Sequence, residues 1–126
     1  MKKKTTAQLK KALWKIFSQY IRQRDKGVCF TCPSAPGWKY GDAGHFIPAS
    51  VGGLALYFHE DNVHFQCKSC NMPPLCGNQY EYGKRLGEEK VKELQALRGV
   101  TTKGFDFVAK LAYYKQKLKE VEDENW

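Results

Sequence analysis

Two Cys-x-x-Cys pairs, Cys29/Cys32 and Cys67/Cys70, are the residues of this chain best suited to hold a metal ion. A two-residue spacer lets both sulfurs of a pair reach one ion, and four thiolates satisfy the tetrahedral preference of zinc. The 34 residues between the pairs exceed the spacing of a short zinc ribbon, so the ion would clamp a whole ββα insert. Free or oxidised thiols are the alternative. A fifth cysteine, Cys76, is left over. Between the pairs lie Asp42-Ala43-Gly44-His45 and Asp61-Asn62-Val63-His64, and Asn71 follows Cys70. A neutral imidazole at His45 can deprotonate water, and the glycines before it let a phosphodiester come close. A histidine alone is more often a surface or core residue, and an asparagine before a helix is usually a cap. Their combination with the cysteine spacing singles these residues out. His59 reads as a loop histidine.

The elements that must position these groups follow from periodicity. Leu9, Leu13, Ile16, Phe17, Tyr20 and Ile21 recur at helical spacing, predicting a helix from Thr5 or Thr6 to about Asp25, with Gly27 as its stop. Pro33 to Gly37 reads as loop. Trp38 to Ile47 predicts a glycine-bent strand carrying Asp42 and His45. Pro48 to Gly53 is expected to be loop, and the alternation of Leu54, Leu56 and Phe58 predicts a second strand. Asp61-Asn62 should then turn into a short helix containing Cys67, Cys70 and Asn71, closed by Pro73-Pro74. Helices are expected over Gln79 to Leu86, Glu88 to Arg98, and about Phe105 to Glu122, with Val91, Leu94, Leu97, Phe107 or Val108, Leu111, Leu118 and Val121 facing inward. The last residues, to Trp126, read as an acidic, frayed end. The fold class is thus α+β, in one domain: a basic arm and helix (1–27), a zinc-bound core (28–78) and a helical C-terminal part (79–126).

Composition bounds the setting. No apolar run reaches the roughly 18 residues of a membrane span, and Met1-Lys2-Lys3-Lys4 is followed by no apolar signal core. A cytoplasmic, reducing location is the expectation, and it favours zinc thiolates over disulfides. Residues 1–30 carry nine Lys/Arg and one acid, so the whole net charge of +8 lies in the N-terminal quarter. That layout suits a polyanion binder. Lys2, Lys3, Lys4, Lys10, Lys11, Lys15, Arg22 and Arg24 are the candidate phosphate contacts, giving salt-dependent and largely sequence-independent DNA binding. Trp14, Trp38 or Tyr57 can stack on an unpaired base.

The stretches Asp42-Ala43-Gly44-His45, Asn62-Val63-His64-Phe65-Gln66-Cys67-Lys68-Ser69-Cys70-Asn71 and Gly77-Asn78 resemble the NinG/Rap family of phage recombination proteins. The likeness extends to Trp14 through Arg22 and to the helical C-terminal third. More broadly the chain resembles the HNH, or ββα-metal, endonucleases, including the recombination endonuclease VII type. The resemblance implies a small zinc-stapled HNH core flanked by helices. It implies His45 as general base, Asn62 as the residue pinning the loop between strand and helix, and Asn71 as a ligand of a catalytic Mg2+ or Mn2+. The four cysteines match the structural zinc set. Many such enzymes place an acid or histidine directly before the general base. Here Gly44 stands there, so Asp42 is the first substitute ligand and His64 the second. The implied substrate is branched or junction DNA, cut to a 5′-phosphate and a 3′-hydroxyl, with a homodimer as one arrangement for paired cuts. Two other readings stand beside it: a non-catalytic zinc module that binds DNA or RNA, and a zinc-stapled protein whose partner is another protein.

Overall fold

The computed structural model describes residues 3–100 and 103–124. Lys2 of the basic arm, and Asn125 and Trp126 of the acidic end, lie outside the described residues.

Helix α1 (Thr6–Arg24) opens on a capping box: the Thr5 hydroxyl accepts from Gln8 N–H at 3.2 Å, and the Gln8 side chain accepts from Thr5 N–H at 2.9 Å. Its Leu13, Phe17, Tyr20 and Ile21 are buried, as their spacing requires. They pack against the last helix, whose inner face is Phe107, Tyr114, Leu118 and Val121. Burial of each large apolar side chain stabilises the fold by about 1.5–3 kcal/mol. Phe107 faces inward and Val108 is exposed. Tyr114, absent from the expected face, meets Phe17 edge to face at 4.8 Å.

The sheet has two antiparallel strands, β1 (Gly41–His45) and β2 (Val63–Cys67), with Asp42 opposite Gln66 and Gly44 opposite His64. Here the structure corrects the sequence reading. The second strand is Val63–Cys67, which was expected in the zinc helix. Leu54–Tyr57 is a short helix, α3, preceded by α2 (Ala49–Gly52) where loop was expected. Five residues of apolar alternation fit one helical turn as well as a strand. Packing decides: Leu56 packs with Ile47 and Leu94 while Leu54 and Phe58 pack into the α1 core, two directions that one face of a strand cannot serve, whereas Val63 joins that core from β2 and Phe65 is fully buried.

The short helix α4 (Lys68–Asn71) follows β2 directly, completing a strand–strand–helix unit. Then come α5 (Gln79–Leu86), α6 (Glu88–Ala96) and α7 (Phe107–Glu124), which runs through most of the stretch expected to fray. Gly87, at φ 89°, turns the chain between α5 and α6. Glu60 ties the loop before β2 to both long helices, accepting from the Tyr20 hydroxyl at 3.2 Å and the Tyr114 hydroxyl at 3.1 Å. Among the described residues, no helix is long and apolar enough to cross a membrane.

Candidate functional site

The ligand sulfurs of Cys29, Cys32, Cys67 and Cys70 all lie within 4.8 Å of one another. Cys32 Sγ and Cys67 Sγ are 3.7 Å apart, too far for a disulfide and close to the ~3.8 Å edge of a tetrahedron with zinc–sulfur bonds of about 2.3 Å. Polar hydrogens already point at the sulfurs: Ser34 N–H donates to Cys32 Sγ at 3.5 Å and Asn78 Nδ2 to Cys70 Sγ at 3.7 Å. These four residues can bind a metal ion such as zinc. Cys76 is exposed and outside the cluster.

The knuckles bracket the sheet. Residues alternate faces along a strand, so Asp42 and Gly44 share one face with His64 and Gln66, while Ala43 and His45 share the other with Val63 and Phe65. Helix α1 covers the second face and α4 reaches the first. Among the described residues β1 pairs only with β2, leaving its other edge open. A groove along that edge is lined by Trp14, Ser18 and Arg22 of α1, by Gly41, Asp42 and Ala43, and by Lys68 and Asn71 of α4.

On the α4 side, Asn71 Nδ2 donates to Asp42 Oδ2 at 3.1 Å and the Lys68 ammonium lies 2.7 Å from Asp42 Oδ1. Asn71 Oδ1 lies over Gly44: a Cβ there would come to 3.0 Å from it and would collide with Gln66 Oε1. The chain has no side chain at residue 44 because the space is filled from β2.

On the α1 side, His45 Nε2 is 2.9 Å from the Tyr57 carbonyl oxygen. A carbonyl only accepts, so Nε2 carries the proton in the neutral ring and Nδ1 keeps its lone pair. The ring stacks on Trp14 at 5.2 Å with Tyr57 at its edge. Burial holds its pKa below the usual value, outweighing the opposing pull of the Tyr57 carbonyl.

Asn62 joins the two strands. Its Oδ1 accepts from Ile47 N–H at 2.8 Å, and its Nδ2 donates to the carbonyls of Ile47 and Leu56 at 3.1 and 2.9 Å. It is fully buried, and it fixes the loop that carries Tyr57 beneath His45. Tyr82, which sequence reasoning did not single out, donates to the Gly44 carbonyl at 2.6 Å and is fully buried. One of two tyrosines on a polar helix, it gave no signal of that role.

The structure does not bring His64 to Asp42 and Asn71. Its ring stacks on Phe30 at 3.9 Å, and its Nδ1 is 3.3 Å from the Tyr82 hydroxyl. Burial, helped by the nearby Arg24 charge, lowers its pKa to about 4. His59 Nδ1 accepts from Asp61 N–H at 3.1 Å and belongs to the loop.

The basic residues divide. Lys3, Lys4, Lys11 and Lys15 line a second groove on α1 that shares Trp14, Ser18 and Arg22 with the first, so a cationic path leads to Asp42 and Asn71. Lys10 lies over the Tyr57 ring at 4.6 Å, beside His45. Arg22 donates to the carbonyls of Ser18 and Trp38 and stands where the grooves meet. Trp38 lies under its guanidinium at 5.3 Å. Arg24 bonds to Asp25 at 2.8 Å and to the carbonyls of Glu60 and Val63 at 3.0 Å each. It ties α1 to β2, with its guanidinium engaged by these internal partners.

The family model described as Bacteriophage Lambda NinG protein matches residues 1–124. Protein ninG of Escherichia phage lambda is 30% identical over 107 residues, covering 81% of this chain and 52% of that protein. Protein ninG of Salmonella phage P22 is 32% identical over 112 residues, covering 82% and 53%. The chain therefore spans about half the length of the curated relatives it matches. No solved structure matches.

Proposed function

Because this chain belongs to the NinG family of bacteriophage proteins, we propose that it is a metal-dependent endonuclease of phage recombination that hydrolyses phosphodiester bonds in branched or junction DNA. Its strand–strand–helix unit is then an HNH, or ββα-metal, core. One observation carries the reading: the open edge of β1 has the His45 imidazole on one face and the Asp42–Asn71 pair on the other. Trp14, which stacks on His45 at 5.2 Å, also lines the groove that holds Asp42 and Asn71, so a phosphate in that groove would lie between the two.

Asp42 and Asn71 would hold a Mg2+ or Mn2+ ion, since hard oxygen donors suit those ions. When bound, that ion supplies charge stabilisation to the scissile phosphate and the leaving 3′-oxygen. His45 Nδ1 takes the proton of the attacking water, while Nε2–H stays on the Tyr57 carbonyl and orients the ring. Asn62 keeps that carbonyl in place. Lys3, Lys4, Lys11 and Lys15 bind the phosphates of the strand leading to the site. Cys29, Cys32, Cys67 and Cys70 would hold zinc, which with four thiolates would have no open position and would serve to fold the core. Paired cuts at a four-way junction would need two copies about a two-fold axis.

Lys68 favours a second reading, since its ammonium already neutralises Asp42. The protein is then a non-catalytic zinc module that binds DNA or RNA through the α1 groove. Incubation of the zinc-loaded protein and Mg2+ or Mn2+ with a four-way junction, a flap and a linear duplex separates the two. Cleavage of the branched substrates, lost in His45→Ala, is the expected result. Binding without cleavage under either metal selects the second reading.

A further inference from the structure

We propose that Gln66 is a positioning residue for the divalent-ion site. Its buried side-chain oxygen takes the Asn71 amide N–H when the Asn71 oxygen turns toward Asp42 to meet the ion. The inference rests on the ion site proposed above.

Gln66 is fully buried on β2, directly opposite Asp42. Its Nε2 donates to Thr31 Oγ1 at 3.1 Å and to the Gly77 carbonyl at 2.7 Å. Both partners belong to the surroundings of the cysteine cluster: Thr31 lies between Cys29 and Cys32, and Gly77 N–H donates to the Cys70 carbonyl at 2.7 Å. The Gly77 carbonyl can only accept, so that bond fixes which end of the carboxamide is nitrogen and leaves the other as oxygen. That oxygen is the one buried side-chain nitrogen or oxygen among the described residues with no hydrogen-bond partner. A stranded buried acceptor is destabilising and calls for a reason.

The reason lies next to it. Gln66 Oε1 and Asn71 Oδ1 converge on the point where a Cβ on Gly44 would sit. Two acceptors meet there, while Asn71 Nδ2 is committed to Asp42 Oδ2 at 3.1 Å. A half-turn of the Asn71 carboxamide exchanges its ends. The turn carries its N–H to the vacant Gln66 oxygen and sets its own oxygen beside Asp42 Oδ2. Two oxygens at that spacing match the cis edge of about 2.9 Å in an octahedral Mg2+ shell. Without a cation they repel, so the turned arrangement forms with the ion. Gln66 thereby links the cysteine cluster to the orientation of Asn71, and Gly44 leaves room for the link.

A double-mutant cycle on Mn2+ affinity, read by electron paramagnetic resonance on zinc-loaded protein, tests the proposal. A carboxylate at 71 has oxygen at both ends and needs no orientation. Gln66→Met should weaken Mn2+ binding on the order of tenfold in the native background, the usual size for a residue that orients a ligand. It should leave affinity unchanged in the Asn71→Asp background. Equal weakening in both overturns the proposal, because Gln66 would then only support the fold. No Mn2+ binding by the unaltered protein would instead sink the ion site itself. A measurement without any variant stands beside the cycle: Mg2+ should bring the Asn71 side-chain amide protons into nuclear Overhauser contact with a Gly44 Hα. Saturating Mg2+ without that contact also overturns the proposal.

Discussion

Asn71 Nδ2 donates to Asp42 Oδ2 at 3.1 Å, joining the last residue of α4 to the second residue of β1. The two side chains are partly exposed and bear little of the core, so truncating them tests chemistry more than folding. Asp42→Ala and Asn71→Ala should each lower Mg2+-supported cleavage at least about a hundredfold, with the melting temperature nearly unchanged. Asp42→Ala should bind DNA as tightly as before or more tightly, because it removes a negative charge and frees Lys68. Unimpaired cutting by Asp42→Ala would remove that residue from the site.

His45→Ala should keep DNA affinity and lose about 10²–10⁴-fold in cleavage rate. The pH profile adds a second readout. The base must be neutral, and burial lowers the His45 pKa below its usual 6.5. Cleavage should therefore rise with pH through a midpoint below 6.5 and be flat from about pH 7 to 8. A midpoint above 7 would assign the limb to another group.

Chelation of zinc, or Cys67→Ser, should lower the melting temperature sharply, since the knuckles hold both ends of the insert together. Asn62→Ala should act differently. It strands the Ile47 N–H and the carbonyls of Ile47 and Leu56, at a cost of about 3 kcal/mol in total, while retaining one zinc per chain. Metal analysis and thermal melts distinguish the two. A melt unmoved by chelation would show that the thiols hold no structural ion.

Gly44→Asp places a carboxylate where the resemblance to HNH enzymes would put an acid, yet it should lose activity. Its Cβ would collide with Gln66 Oε1 and approach Asn71 Oδ1. Overpacking of this kind costs about 1–3 kcal/mol, and Asn71 would be displaced with it. A variant that melts normally and cuts faster would show the pocket to be more adaptable than this geometry allows.

Replacing Lys3, Lys4, Lys11 and Lys15 with Gln should weaken binding to all DNA forms. For every phosphate that is no longer neutralised, the slope of log affinity against log salt should fall by about 0.9. Arg24→Gln should leave that slope in place and lower stability instead, because its partners are Asp25, Glu60 and Val63. Salt titrations of the two variants, with thermal melts, check the division.

The sequence alone was enough to single out the four cysteines, the buried face of α1, and His45, Asn62 and Asn71. Each is legible because its signal is local: a two-residue spacer, a helical period, or a short motif around a knuckle. The tertiary structure decided the rest. Whether Leu54–Tyr57 or Val63–Cys67 became the second strand depended on partners distant in the chain: Leu54 and Phe58 turn to the α1 core while Leu56 turns to Ile47 and Leu94, a split that a helical turn allows and one face of a strand does not. Arg24 and Lys15 carry the same charge on one helix, and only the packing of α1 against β2 turned the first into an internal strut. Gln66 stood in the family-like motif without a role, and Tyr82 gave no signal, because their importance comes from what lies opposite them: a missing side chain at Gly44, an unpaired oxygen, and a carbonyl next to His45.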